Sequence, residues 1–305
     1  MSQIQQPHPP HQSRPAVERF YAQGRVLQGL RAGLDLLQRH APLQAARLAL
    51  RLFDTPLPPR LLQPRPSMAP WQGLTLPFET RRLQLWHRPD GAKRPRVLLL
   101  HGWGGQAAQM RGLAQACWDA GLSPHVLDWP AHGRSSGTRT DIAQWQRALQ
   151  VLTVEQGPWL GIAAHSIGAL AAAHGVARGL PVQRLALLAC SAPPRMLLEG
   201  FVASFGLGLA VRDRLRQALE ARARPGLAGF EPAWLGQHLQ LPVLLVHDRQ
   251  DRAAPAACSE ALAAALPRAR LQLTDGLGHR RLLDDAAVQR QVATWLAEAA
   301  QADKT

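Results

Sequence analysis

The sequence predicts an α/β protein whose core is a mostly parallel, twisted sheet with helices on both faces. Three observations carry that prediction. Short apolar runs recur along the chain, at 96–100 (RVLLL), 159–164 (WLGIAA), 185–189 (LALLA) and 242–247 (PVLLVH). They lack strict polar alternation, as expected of strands buried on both faces. Helix-forming segments separate the runs, and strands alternating with helices imply parallel pairing through helical crossovers. The third observation is the stretch 159–179, WLGIAAHSIGALAAAHGVARG. There an apolar run passes through His165, Ser166, Ile167 and Gly168 into an alanine-rich segment of helical composition.

Taken in order, residues 1–20 are rich in Pro, Gln and His and predict a disordered tail. His8 and His11 lie in it without other ligands, so no metal site is read there. Residues 21–70 predict a helical extension. Leu27, Leu30, Leu34 and Leu37 recur at three- and four-residue steps, the spacing of an amphipathic helix. Pro42 opens a second helix through Leu48 and Leu52 to Phe53, and TPLPPRLLQPRP ends it. The pair is expected to pack on the main domain. The alternative is a basic amphipathic surface that touches a membrane or covers the mouth of a site.

One domain is expected over 71–305. Residues 74–89 read as two short strands in a hairpin. The strand 96–100 leads into a Gly-rich turn, 101–105 (HGWGG), and a helix follows from about Ala107 to Ala120, closed by Gly121. The strand 125–128, the loop 129–137 (WPAHGRSSG) and a helix started by Thr140 and Asp141 precede the serine strand. After 185–189 the alternation stops, because residues 195–240 are helical in character and hold no convincing strand. So long an insertion between two strands predicts a small lid over the C-terminal strand ends, where such sheets hold their sites. The sheet resumes at 242–247. A helix near 259–266, a strand at 270–273, the loop 276–279 (GLGH) and an amphipathic helix from Asp284 to Ala299 complete it.

Composition removes several function classes. Of 305 residues, 46% are hydrophobic, which argues against general disorder. No apolar run approaches the roughly 20 residues that span a bilayer. The first fifteen residues, MSQIQQPHPPHQSRP, lack an apolar core, so no secretory signal is read. Cys117, Cys190 and Cys258 are odd in number and far apart, neither a disulfide framework nor a metal-ligand spacing. A reducing, cytoplasmic location is expected. The net charge of +14 invites a nucleic-acid reading. Yet all but Lys93 and Lys304 of the 35 basic residues are scattered Arg, and the chain has no Asn. That is a genome-wide composition bias rather than a basic patch, and no nucleic-acid partner is expected. The chain shows no P-loop and no dinucleotide fingerprint, and no cofactor or metal is expected.

Three reactive side chains fall at the C-terminal ends of expected strands: Ser166, Asp251 and His279. A serine nucleophile needs a base to take its proton and a carboxylate to hold that base in one tautomer. The N–H of the residue after the serine, Ile167, opens a helix where an oxyanion would form. A second N–H, that of Trp103, stands in the turn after 96–100. Asp248 competes with Asp251 as the acid, since Asp251 could instead cap the following helix. His101 and His132 are read as structural, bonding backbone within their loops. Ser135 and Ser136 are read as satisfying loop carbonyls or capping the turn. His165 either lines a pocket or fills space, and Trp103 and Trp129 are pocket walls or exposed loop residues.

On these motifs the sequence resembles the α/β-hydrolase fold family of serine hydrolases, over roughly residues 74–300. The matching signatures are HGWGG at 101–105, DWPAHGRSSG at 128–137, AHSIG at 164–168, and DRQD at 248–251 with GLGH at 276–279. The chain order serine, acid, histidine is the one expected of this family. The resemblance implies Ser166 as nucleophile, Asp251 as triad acid, His279 as general base, and Trp103 and Ile167 as oxyanion donors. Ala164 and Ala131 stand where the family more often has Gly. The implied activity is hydrolysis of a small-molecule acyl ester through an acyl-enzyme, with a non-hydrolytic binding protein of the same fold as the alternative. Met196, Leu197, Leu198, Phe201, Phe205, Leu207 and Leu209 suggest an apolar acyl pocket under the lid.

Overall fold

The computed structural model describes residues 25–91 and 93–302, and the tail expected at 1–20 lies outside them. Two helices, α1 (Arg25–His40) and α2 (Pro42–Phe53), precede a hairpin of β1 (Gln72–Phe78) and β2 (Arg81–His87). Then come β3 (Arg96–Leu100), α3 (Arg111–Asp119), β4 (Ser123–Asp128), α4 (Ile142–Gln156) and β5 (Gly161–His165). α5 (Ile167–Ala177) and β6 (Arg184–Leu188) follow. The segment up to the next strand holds α6 (Pro194–Phe205), α7 (Leu209–Arg222) and α8 (Pro232–His238), and no strand. β7 (Val243–Asp248), α9 (Ala256–Ala265), β8 (Ala269–Thr274), the single turn α10 (Gly278–Arg281) and α11 (Ala286–Ala302) complete the order.

The strands form one sheet in the order β1-β2-β4-β3-β5-β6-β7-β8. The β1–β2 and β2–β4 pairs are antiparallel and all others parallel. The uninterrupted apolar runs explain the layering. Leu98, Leu100, Ile162, Leu185, Leu187, Val243 and Leu245 face one side, packing with Trp145, Leu149 and Leu152 of α4 and the alanines of α5. Val97, Leu99, Ala163, Ala186, Leu188, Leu244 and Val246 face the other, against Leu113 and Cys117 of α3 and Val288, Val292 and Leu296 of α11. Each fully buried Leu or Val adds about 2 kcal/mol, so side chains of both faces contribute. β3 lies between β4 and β5, so the chain leaves it first to one side and then to the other. That reversal opens a crevice above the strand ends.

α1 and α2 pack against the insertion. Leu34, Ala45, Ala46 and Ala49 are buried in the same cluster as Leu198, Phe201, Phe205 and Val211. The Phe53 ring meets Phe201 edge-on at 5.2 Å. The Gln38 amide donates to Gly206 O and accepts from Gly208 N. The buried face of α2 is its alanines, whereas Leu48 and Leu52 are half-buried. Small side chains let this helix come close to α7. No described helix is long and apolar enough to cross a membrane.

Candidate active site

Ser166 sits between β5 and α5 with φ 58° and ψ −127°, a left-handed conformation that an L-residue holds at a cost of about 1–3 kcal/mol. The neighbouring backbone fixes it: Ser166 N donates to Leu188 O, and Ser191 N donates to Ser166 O. Two glycines make room for the turn. A Cβ on Gly168 would lie 2.4 Å from His101 O, and one on Gly102 would lie 2.8 Å from Ser166 Cβ. Ala164 is buried in β5, and Ala131 carries a positive φ of 64°, the conformation a Gly would adopt more easily.

β7 and β8 bring the other two groups to the serine. His279, on α10, has Nε2 3.0 Å from Ser166 Oγ and Nδ1 2.6 Å from Asp251 Oδ2. Donation of Nδ1–H to the carboxylate leaves the Nε2 lone pair to accept the serine proton. Asp251 Oδ1 accepts the N–H groups of Ala253 and Ala254. Burial opposes its ionisation. Hydrogen bonds from His247, His279 and Ala254 N–H outweigh that and hold the carboxyl well below the usual carboxylate range. Asp248 is employed elsewhere: Oδ1 accepts from Gln250 N, and Oδ2 accepts from Thr274 Oγ1 and Leu277 N. It organises the loop that presents His279.

Ile167 is the first residue of α5, so its N–H has no acceptor within the helix. Trp103 stands in the turn after β3, and both residues line the cavity at Ser166. That turn is fastened from below. His101 Nδ1–H donates to Gly102 O while Nε2 accepts from Trp129 N. His132 Nδ1–H donates to Pro130 O while Nε2 accepts from Gly104 N. Burial pushes His101 down to about 4 and His132 to about 3, so both are neutral spacers at neutral pH. Ser135 Oγ donates to Asp128 O and accepts from Gln84 N, and Ser136 Oγ accepts from Arg82 N. His165 is buried, lines the cavity, and donates from Nε2 to His279 O at 2.9 Å. It therefore does both things the sequence left open.

The cavity above Ser166 has a volume of about 300 Å³, within the range of small-ligand pockets. Phe53, Trp103, Ile167 and Leu197 supply apolar wall. Of the seven apolar residues expected to form an acyl pocket, only Leu197 lines it. Leu198, Phe201, Phe205 and Leu207 are buried in the core, and Met196 and Leu209 are more than half exposed. Trp129 is no pocket wall either: it is fully buried and stacks on Trp145 at 4.3 Å. Two site residues escaped the sequence reading. His247 Nε2 lies 3.2 Å from Asp251 Oδ2 and 3.0 Å from Ala254 O, with Nδ1 accepting from Ser259 Oγ. Its signal was a histidine ending a buried strand four residues before the acid. Phe53 reaches the cavity from the N-terminal helices, a contact no local pattern encodes. Among the described residues no cluster of metal-ligating side chains occurs.

An abhydrolase family model, described as TAP-like protein, matches residues 230–304. The pimeloyl-[acyl-carrier protein] methyl ester esterase of Aromatoleum aromaticum is 30% identical over 246 residues, covering 64% of this chain and 96% of that one. The enzyme of the same name from Xanthomonas campestris pv. campestris is 29% identical over 238 residues, covering 63% and 90%. Among solved structures, a haloalkane dehalogenase loop variant from Bradyrhizobium elkanii is similar with TM-score 0.58 at 17% identity, covering 77% of this chain and 100% of that one. That likeness is one of fold alone. The chain belongs to the α/β-hydrolase family. Within that family it is a carboxylic ester hydrolase.

Proposed function

We propose that this hydrolase cleaves acyl esters through a covalent intermediate on Ser166, with His279 as general base and Asp251 as the triad acid. The observation that carries the reading is His279 bridging Ser166 Oγ at 3.0 Å and Asp251 at 2.6 Å on the floor of an apolar cavity. His279 Nε2 takes the Ser166 proton as Oγ attacks the ester carbonyl, and the N–H groups of Trp103 and Ile167 receive the developing oxyanion. The imidazolium then protonates the leaving alcohol. In deacylation the same nitrogen activates water, which releases the acid and restores the serine. Asp251 stays ionised throughout, held by four donors.

The substrate in this reading is a small acyl ester with an apolar chain, medium chains being favoured over acetyl. The relatives' name adds an ester borne on an acyl-carrier protein as a second substrate form. The helical insertion at about 195–240 serves as the lid, with residues 21–70 packed on it as an extension of the 71–305 domain. No nucleic acid takes part, and membrane contact by the N-terminal helices is no part of the reaction. The three free cysteines suit a reducing cytoplasm.

A fluorophosphonate probe tests the nucleophile, used beside the Ser166→Ala variant and a p-nitrophenyl ester series. Labelling and turnover should both vanish in the variant. Turnover that survives it, or a folded wild-type protein that never labels, would refute the assignment and favour a binding role for the scaffold.

A further inference from the structure

His279 stands on a short piece of backbone with little support of its own. α10 is a single turn, and the chain enters it through Gly276 and Gly278, whose φ values of 85° and 68° favour glycine. A Cβ on either would meet nothing within 4 Å, so both face open space. The turn is also open at its end. Leu283 N, which would close a longer helix on His279 O, donates to Arg280 O instead. His279 O takes its hydrogen bond from a side chain 114 residues away in sequence, His165 Nε2, at 2.9 Å. A carbonyl only accepts, so Nε2 carries the hydrogen. Burial pushes this imidazole down to about 3, which leaves it neutral with one N–H to give. Nδ1 has no hydrogen-bond partner, so among the described residues the bond to His279 O is the ring's only one. The His165 and His279 rings lie 4.6 Å apart, tilted by 50°.

We propose that His165 is the positioning residue of the general base: it braces the serine turn against the histidine turn and fixes the distance between Ser166 Oγ and His279 Nε2. This role deepens the ester-hydrolase reading and rests on it for the work that His279 does. His165 ends β5, where it pairs with Leu188 of β6 in the middle of the sheet. Ser166 is the next residue. The nucleophile and the foot of the brace therefore share one strand end, and the brace reaches the backbone of the base. Asp251 holds the far side of the imidazole, through Nδ1 at 2.6 Å. A ring held only there can still pivot about that bond. A second bond, to the carbonyl of the same residue, stops the pivot. Misplacing a reacting group by about 1 Å costs about 10²-fold in rate. His279 serves both acylation and deacylation, so the loss falls on kcat.

His165→Leu fills the space but has no N–H, and it should lower kcat for p-nitrophenyl esters by about 10²-fold, with KM within about threefold of wild type. His165→Gln can present an N–H to the same carbonyl and should recover at least about tenfold of that loss. Where the leucine variant does not fold, His165→Met, unbranched and adaptable, takes its place. The proton on His279 Nδ1 gives a readout without turnover. Its downfield NMR resonance, assigned by its absence in His279→Gln, should shift or broaden in His165→Leu and return in His165→Gln. A His165 that only adds stability would lower the urea midpoint and move neither readout. An unchanged kcat, an unchanged resonance, or a glutamine variant as slow as the leucine one overturns the proposal. If the folded wild-type protein cleaves no ester, the hydrolase reading fails and the resonance alone decides the brace. Moved by leucine and restored by glutamine, the brace stands; unmoved, it falls.

Discussion

Lowering the pH from 7 to 5 should reduce this protein's folding stability by several kcal/mol, because five histidines are buried in their neutral form. Burial holds His101, His125 and His174 at about 4 and His132 and His165 at about 3, against 6.5 for the free side chain. With folded values below the unfolded one, the unfolded chain binds more protons between them. Stability therefore rises with pH in that window, and it is lost as pH falls from about 6.5 toward 4. At pH 5 the unfolded imidazole is almost fully protonated and the folded one is not, which costs about 2 kcal/mol per histidine relative to pH 7. Five such groups cost about 9 kcal/mol. Asp54 acts in the opposite sense: burial raises it to about 6 despite Arg222, so the folded state takes up a proton first and regains about 1 kcal/mol. The remaining loss of about 8 kcal/mol is comparable with the whole stability of an ordinary domain. Urea unfolding followed by tryptophan fluorescence at pH 7, 6 and 5 measures it. His174 supplies the control, since neither ring nitrogen has a hydrogen-bond partner among the described residues and the ring stacks on Phe230 at 4.0 Å. His174→Leu should reduce the pH 7-to-5 loss by about 2 kcal/mol. Equal unfolding midpoints at pH 7 and 5, or an unaltered loss in the variant, would refute the reasoning.

Other outcomes follow from single contacts. Asp251→Asn should lower kcat by about 10⁴, because the amide no longer holds the required tautomer of His279. Asp248→Asn should leave the chemistry largely intact and instead cost about 1–3 kcal/mol of stability, through the Thr274 and Leu277 bonds; steady-state kinetics and urea titration separate the two. His247→Leu removes a donor from Asp251 and from Ala254 O, so stability should fall by about 2 kcal/mol and kcat should fall with little change in KM. Gly168→Ala would force a methyl to 2.4 Å from His101 O, and fluorophosphonate labelling should drop with the displaced turn even where circular dichroism stays native.

The sheet was legible because its central strands carry apolar residues on consecutive positions, as at 97–100 and 243–246, and only a strand covered on both faces tolerates that. The serine turn was legible from its small neighbours, and the structure shows what they avoid: Gly168 lies against the carbonyl of His101. The choice between Asp248 and Asp251 was not legible. Both follow the same strand, and the turn closed by Asp251 N on Asp248 O decides which carboxylate faces His279. The apolar residues of the insertion could be counted from sequence but not sorted. Leu198, Phe201 and Phe205 recur on one face of α6, whereas Leu197 lies one position round and meets the cavity. Phe53 was beyond reach, since its neighbours Phe201 and Trp103 lie far along the chain.

That long-range contact changes what the N-terminal helices are for. The ion cluster of Asp54, Arg222 and Asp141 ties them to the insertion and to α4, but about a third of the Arg222 side chain is exposed. Ion pairs so placed contribute about 0–1 kcal/mol, which is too little to hold two helices in place. The apolar contacts contribute more. Leu34 and the alanines at 45, 46 and 49 are buried with the insertion, and burying Leu34 alone is worth about 2 kcal/mol. The Phe53–Phe201 edge contact adds about 1 kcal/mol beyond its area. Packing thus supplies the strength, and the ion cluster sets the register in which Phe53 meets the cavity. Since Phe53 and Leu197 line the cavity from different elements, any shift of the helices on the insertion changes its shape. The extension is therefore part of the wall of the cavity at Ser166, and under the proposed ester-hydrolase reading selectivity for chain length should depend on Phe53 as well as on the motifs that carry the chemistry.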